Sequence, residues 1–234
     1  GWAVAVAAMR PRAPGGYGRV MVDGQGQVEA IVEAKDASPD QAAVRLCNAG
    51  VMALDGARLM RLLTQLSPAN AKGEYYLTDV VALARQAGWG CGYVEVDADE
   101  MVGVNTRAEL AQVEALFQAK QRARALAGGA TLVAPETVWF SYDTALGRDV
   151  VVEPHVVFAP GVRVGEGAQI KAFSHLEGTQ VEAGAQVGPY ARLRPGTVVG
   201  AGAKVGNFVE LKAAVLGEGA KVNHLSYVGD ASVG

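Results

Sequence analysis

The sequence predicts an α/β layered part followed by a parallel β-helix of hexapeptide repeats. Three observations predict it. Aliphatic residues recur every six positions through the last third of the chain. Apolar runs of strand length alternate with helix-periodic segments over residues 1–104. The 30 glycines split evenly, 15 in residues 1–146 and 15 in the shorter stretch 147–234, so composition shifts where the pattern shifts.

Trp2–Met9 is an apolar run of buried-strand length. Arg19–Val22 and Val28–Val32 flank Asp23-Gly24-Gln25-Gly26 and predict a hairpin. Ala57–Leu66 places Leu59, Leu62 and Leu63 at helical spacing, and Tyr76–Gln86 repeats the pattern with Leu77, Val80, Val81 and Leu83. Gly92–Val96 predicts another strand. The helix of residues 106–127 is the clearest. Thr106 through Glu109 is a capping-box signature, Leu110, Val113, Leu116 and Phe117 line one face, and Gly128-Gly129 ends it.

From about Val152 an aliphatic residue marks fourteen successive hexads: Val152, Phe158, Val164, Ile170, Leu176, Val181, Val187, Leu193, Val199, Val205, Leu211, Leu216, Val222 and Val228. Eleven of the thirteen steps are six residues, and the steps 176→181 and 211→216 are five. Glycine often follows the aliphatic residue, where it lets the backbone turn a corner. Three hexads close one triangular coil, so residues about eighteen apart stack on one face. A β-sandwich with regular turns is the alternative, but it has no reason to hold one register over so many hexads.

With 50% hydrophobic and 19% charged residues, the chain is no charged disordered tail. No apolar run reaches the roughly 20 residues of a bilayer span, and glycine lacks collagen's every-third spacing. A net charge of −3 and a pI near 5.7 provide no basic footprint for nucleic acid or a membrane surface. Cys47 and Cys91 lie in unlike contexts, which argues against a disulfide framework and for a reducing cytoplasm.

All three histidines, His155, His175 and His224, fall in the repeat. Chemistry in residues 1–104 must therefore use carboxylates, amides, backbone and an added metal. Arg194 and Lys212 each follow the aliphatic residue of a hexad and are eighteen apart, so they stack on one face. Like charges so placed repel, and a phosphate between them removes the cost; two solvated surface charges are the plain alternative. His224 and Asn207 share the third hexad position one coil apart, with Tyr227 at the following corner. A histidine in that company suits a general base, although a lone histidine is more often structural. His155 and His175 lack such company and are expected to be structural or solvated. In the first part, clustered Gly15, Gly16 and Gly18 mark either a close approach to a ligand or a plain turn. Glu33 and Asn48 lie in polar clusters further on, and Asn105 stands where a helix-terminal hydrogen bond is the simplest role.

Eight segments together resemble one family: GGYGRV (15–20), VEAKDAS (32–38), CNAGVM (47–52), GEYYLTDVVALA (73–84), GVNTRAEL (103–110), GPYARLRPG (188–196), VGNFVELK (205–212) and VNHLSYVGDASVG (222–234). The family is the bacterial bifunctional enzyme that joins an N-acetylglucosamine-1-phosphate uridyltransferase to a glucosamine-1-phosphate acetyltransferase. The resemblance implies part of a Rossmann-like nucleotidyltransferase domain over 1–104, a linker helix over 105–129, and a left-handed β-helix over 130–234. It implies that Gly18, Glu33 and Asn48 bind UDP-N-acetylglucosamine, and that Asn105 helps to bind both that nucleotide and Mg²⁺. In the β-helix it implies Arg194 and Lys212 as sugar-phosphate binders, His224 as the base and Tyr227 as a substrate contact. The implied substrates are glucosamine 1-phosphate and acetyl-CoA, then N-acetylglucosamine 1-phosphate and UTP, in a cytoplasmic homotrimer.

The family's pattern includes a glycine-rich nucleotide loop before Gly1 and acetyl-CoA-binding coils after Gly234. The chain is therefore expected to be an internal stretch, inactive by itself. The competing expectations are a sugar-phosphate nucleotidyltransferase whose β-helix serves assembly or regulation only, and a non-catalytic binding module.

Overall fold

The structure is a computed structural model that describes residues 1–104 and 106–234 of the chain. It divides into two compact units, Gly1–Glu109 and Leu110–Gly234. No helix among the described residues is long and apolar enough to cross a membrane.

The first unit is built on β1 (Val4–Met9), β2 (Arg19–Val22), β3 (Val28–Val32), β4 (Cys47–Leu54) and β5 (Cys91–Glu95), in the sheet order β3-β2-β4-β1-β5. Three of the four pairings are antiparallel and only β1 with β5 is parallel. Val4, Val6 and Ala8 alternate inward from β1. The helices are α1 (Pro39–Ala42), α2 (Gly56–Leu63) and α3 (Val80–Gln86). Of these, α3 buries Val80, Val81 and Ala84 against the sheet. Both cysteines are buried and free. The β2–β3 hairpin closes where the sequence places it: Asp23 Oδ1 accepts the N–H groups of Gln25 and Gln27. Arg85 on α3 then clamps the turn, donating to Gln27 Oε1 at 2.7 Å and Asp23 Oδ2 at 2.8 Å.

Strand β4 is the element the sequence pattern hides. Gly50 takes a left-handed φ of 82° inside it, and the Asn48 side chain accepts the Gly50 N–H at 3.0 Å. That local turn breaks the period-two alternation by which a strand is recognised.

The helix expected over 106–127 is α4 (Arg107–Ala127). Thr106 Oγ1 accepts from the Glu109 N–H at 3.1 Å, and Glu109 Oε2 accepts from the Thr106 N–H at 2.8 Å, so the capping box is formed. At the other end Gly129 has φ 96° and the Ala130 N–H reaches Ala125 O. Within the second unit Gln118 is 1% exposed, and its amide pairs with both backbone groups of Phe140: Nε2 to O at 2.7 Å and N to Oε1 at 2.9 Å. Arg122 adds bonds to the carbonyls of Val138 and Glu136.

Three parallel sheets of six, six and five strands form the β-helix. The predicted aliphatic column is its interior: Val152, Phe158, Ile170, Leu176, Val187, Leu193, Val199, Val205 and Leu211 are each 0% exposed. From Ala145 on, register partners lie seventeen or eighteen residues apart, as in Val151↔Gln169 and Gln169↔Gln186. The coils begin earlier than the hexad pattern, because Thr131–Leu132 pairs with Val151–Val152. A short 3₁₀ turn at Pro135–Thr137 breaks the six-residue count before Val152 and conceals this first coil.

The glycines do two different jobs. Gly206, after Val205, has room for no side chain: a Cβ there would lie 1.6 Å from the Asn223 carbonyl oxygen of the next coil. Close stacking, not a turn, requires it. Gly184 is the opposite case, with open space around it but a left-handed φ of 67°.

One corner uses no glycine. His155, Phe173, Tyr190, Phe208 and Leu225 occupy it in successive coils, with φ of 59°, 61°, 55°, 54° and 49°. Each such conformation costs about 1–2 kcal/mol. The rings stack with centroids 4.8, 4.9 and 5.1 Å apart, and such contacts return about 0.5–1.5 kcal/mol each. His155 thus begins an aromatic ladder, which gives it a structural place.

Candidate functional site

In the first unit three of the residues singled out from sequence meet on the sheet. Gly18 leads into β2, Glu33 follows β3, and Asn48 lies in β4. The Asn48 N–H donates to Gly18 O at 2.8 Å. A Cβ on Gly18 would stand 3.1 Å from Ile31 and 3.5 Å from Glu33 Oε1, so bare backbone lets the carboxylate lie over the loop. Arg19 fixes that loop from below. It is 6% exposed, and its guanidinium donates to the carbonyls of Ala42, Tyr17 and Gly15.

Sequence reasoning missed Thr78, whose hydroxyl donates to Glu33 Oε1 at 3.1 Å and orients it. Tyr76 and Asp79 stand nearby. Burial first, then the charge of Asp36, pushes both the Tyr76 phenol and the Asp79 carboxyl above their ordinary values. The half-buried Glu33 and Asp79 carboxyls can accept from hydroxyls of a polar ligand, whereas the Tyr76 hydroxyl oxygen is buried and out of a ligand's reach. Asn105 lies outside the described residues. Among those described, no group of three His, Cys, Asp or Glu side chains could hold a metal ion.

In the second unit Asn207 and His224 are register partners on adjacent strands, Lys204–Asn207 and Lys221–His224. The five-residue step 211→216 between them makes their separation seventeen and does not disturb the stack. They line a recess of about 400 Å³ together with Lys171, Lys204 and Asn223. Tyr227, expected at the corner, is not there. The corner is Leu225, and Tyr227 starts the strand Tyr227–Gly229 on the next face. There it is the register partner of Glu210, and its hydroxyl folds back over Gly229.

That next face carries Arg194 and Lys212. Each has its own carboxylate: Arg194 Nη1 lies 3.1 Å from Glu210 Oε1, and Lys212 Nζ lies 3.3 Å from Asp230 Oδ2. The repulsion inferred from sequence is therefore relieved within the chain. Asp230 follows the same stacking rule, eighteen residues beyond Lys212, and Glu210 sits diagonally, sixteen residues beyond Arg194. His175 lies on this face between Val157 and Arg192. Burial, with a smaller push from Arg192, lowers its pKa below 6.5 and favours the neutral ring. His224 is the histidine that combines exposure, an amide neighbour and a recess large enough for a small substrate.

Known proteins bear on these arrangements. The family described as bacterial transferase hexapeptide (six repeats) matches residues 178–213, inside the β-helix. The bifunctional protein GlmU of Xanthobacter autotrophicus is 60% identical over 234 residues, covering 100% of this chain and 52% of that protein. Those of Azorhizobium caulinodans and Paramagnetospirillum magneticum are 58% and 57% identical, covering 100% and 99% of this chain and 52% and 51% of their own lengths. A solved structure of GDP-perosamine N-acetyltransferase from Caulobacter crescentus is 18% identical, covers 64% of this chain and 85% of its own, and has a TM-score of 0.32, too low to carry weight. The chain spans about half the length of the curated relatives it matches. Identity at this level, sustained from one end to the other, has one explanation: over the half it shares with them, the chain belongs to the family of the bifunctional GlmU proteins.

Proposed function

We propose that this chain is part of a bifunctional enzyme of UDP-N-acetylglucosamine synthesis. One activity transfers acetyl from acetyl-CoA to the amine of glucosamine 1-phosphate. The other transfers uridylyl from UTP to N-acetylglucosamine 1-phosphate and releases pyrophosphate. The observation that carries the reading is His224 in register on Asn207 at an open recess, one corner away from Arg194 and Lys212. In this reading His224 takes the proton from the amine as it attacks the thioester carbonyl. Arg194 and Lys212 exchange Glu210 and Asp230 for the sugar phosphate, an exchange that exposed ion pairs of small worth permit. Tyr227 contacts the sugar.

The same reading makes the first unit the latter part of a Rossmann-like nucleotidyltransferase domain of residues 1–104. Gly18, Glu33 and Asn48 there hold the N-acetylglucosamine end of UDP-N-acetylglucosamine. Glu33, oriented by Thr78, accepts from sugar hydroxyls, and the Gly18 loop offers bare backbone. Asn105 is assigned to the nucleotide and to Mg²⁺. The described residues provide no group of three His, Cys, Asp or Glu side chains for the ion. The β-helix of residues 130–234, joined by the 105–129 helix segment, is read as left-handed and as the core of a homotrimer. Acetylation measured in the complete protein tests the centre of this reading. His224→Ala is expected to abolish acetyl transfer and to leave uridylyl transfer intact. Near-normal acetylation would remove His224 from the role of base and favour the alternative in which the β-helix serves only assembly.

A further inference from the structure

One face of the β-helix carries a charge pattern that the sugar-phosphate reading does not use. Its outward column runs Gln169, Gln186, Lys204 and Lys221. Lys204 and Lys221 are direct register partners, both exposed, on strands about 4.8 Å apart. Like charges so placed destabilise a sheet. Around the corner Arg194 and Lys212 solve the same problem with Glu210 and Asp230. Among the described residues neither Lys204 nor Lys221 has a carboxylate at ion-pair distance.

The column borders the recess of about 400 Å³ lined by Lys171, Lys204, Asn207, Asn223 and His224, and no acidic side chain lines it. The carboxylate of Glu153, one coil away, is engaged by the Ala172 N–H at 2.9 Å. The floor at Gly206 is bare backbone and must remain so. We propose that this recess is a diphosphate-binding subsite, separate from Arg194 and Lys212. Lys204, which lines the recess, and its register partner Lys221, which stands outside that lining on the next strand, each meet one phosphoryl group at the spacing of neighbouring strands, and the amides of Asn207 and Asn223 donate to the remaining oxygens. The same chemistry fits free pyrophosphate and the diphosphate of a nucleotide.

Calorimetry on the whole chain with sodium pyrophosphate and with UDP tests the proposal. The variant is Lys204→Gln with Lys221→Gln, because glutamine already fills this column at positions 169 and 186. Lys204→Gln alone serves if the double variant unfolds. The Kd for pyrophosphate is expected to rise at least about tenfold in the double variant. It is expected to stay unchanged in Arg194→Gln with Lys212→Gln and in Glu33→Gln. Tighter binding of UDP through the same two lysines assigns the subsite to a nucleotide, and tighter binding of pyrophosphate assigns it to the free anion. Binding that survives loss of the lysines, or that is lost instead with Arg194 and Lys212, overturns the proposal, as does no binding by the unaltered chain. The outcome is independent of whether His224→Ala abolishes acetyl transfer.

Discussion

Gly206 has the tightest surroundings of any glycine in the chain, because its missing side chain is where the next coil's Asn223 carbonyl lies. Gly206→Ala forces the two coils apart at the point that seats His224 on Asn207. A cost of about 3 kcal/mol or more is expected from overpacking against backbone that cannot move aside. Gly24→Ala, in the open turn of the β2–β3 hairpin, is expected to be near neutral, since nothing lies within 4 Å of its Cβ position. Denaturant unfolding of the two variants checks the contrast. His175 carries a second prediction at this scale. Its folded pKa is depressed, so the folded state binds fewer protons than the unfolded chain between that value and 6.5. Its contribution to stability is whole above pH 6.5 and is lost as the pH falls through the folded pKa. His175→Gln is expected to flatten the decline in melting temperature between pH 7 and 5. An unchanged decline would assign it to carboxylates that titrate lower.

Gln118 decides how α4 is held to the first coil of the β-helix. Both backbone groups of Phe140 depend on its one amide. Gln118→Leu leaves a buried N–H and a buried carbonyl without partners, at a cost of about 1–3 kcal/mol for each group. Hydrogen exchange checks it, with the Phe140 amide expected to lose protection while the central coils keep theirs. The helix itself was legible in the sequence, as were the hairpin and the hexads, because each rests on local chemistry with a period: a capping box, an Asp-Gly turn, an aliphatic residue every six. Strand β4 was not, since the Asn48–Gly50 turn interrupts its alternation. The aromatic corner was not either, because non-glycine residues at positive φ are paid for by stacking between coils, which no local pattern displays. In the candidate site, stacking by eighteen was enough to join His224 to Asn207. It placed Arg194 above Lys212 and, carried one coil further, reaches Asp230, eighteen residues beyond Lys212, whereas Glu210 pairs with Arg194 diagonally, sixteen residues on. Gly18, Glu33 and Asn48 lie far apart in sequence and were joined only by resemblance.

The two units hold separate buried clusters with no residue in common. One is a sheet-and-helix core around Val4, Val6, Val80 and Val81. The other is a column one or two side chains wide, in which each coil touches mainly the coils above and below. A stack of that kind unfolds as a set of nearest-neighbour terms, whereas a layered core goes as one body. Thermal unfolding followed by calorimetry is therefore expected to show two transitions. Ile170, 0% exposed in the middle of the stack, and Val6, 1% exposed in the sheet, separate them. Ile170→Ala should lower one transition through a loss of about 3 kcal/mol and leave the other in place. Val6→Ala should move only the other, by about 2 kcal/mol. If either substitution shifts both transitions equally, or if a single transition carries all the heat, the two cores are one cooperative unit and the hexads do not support themselves.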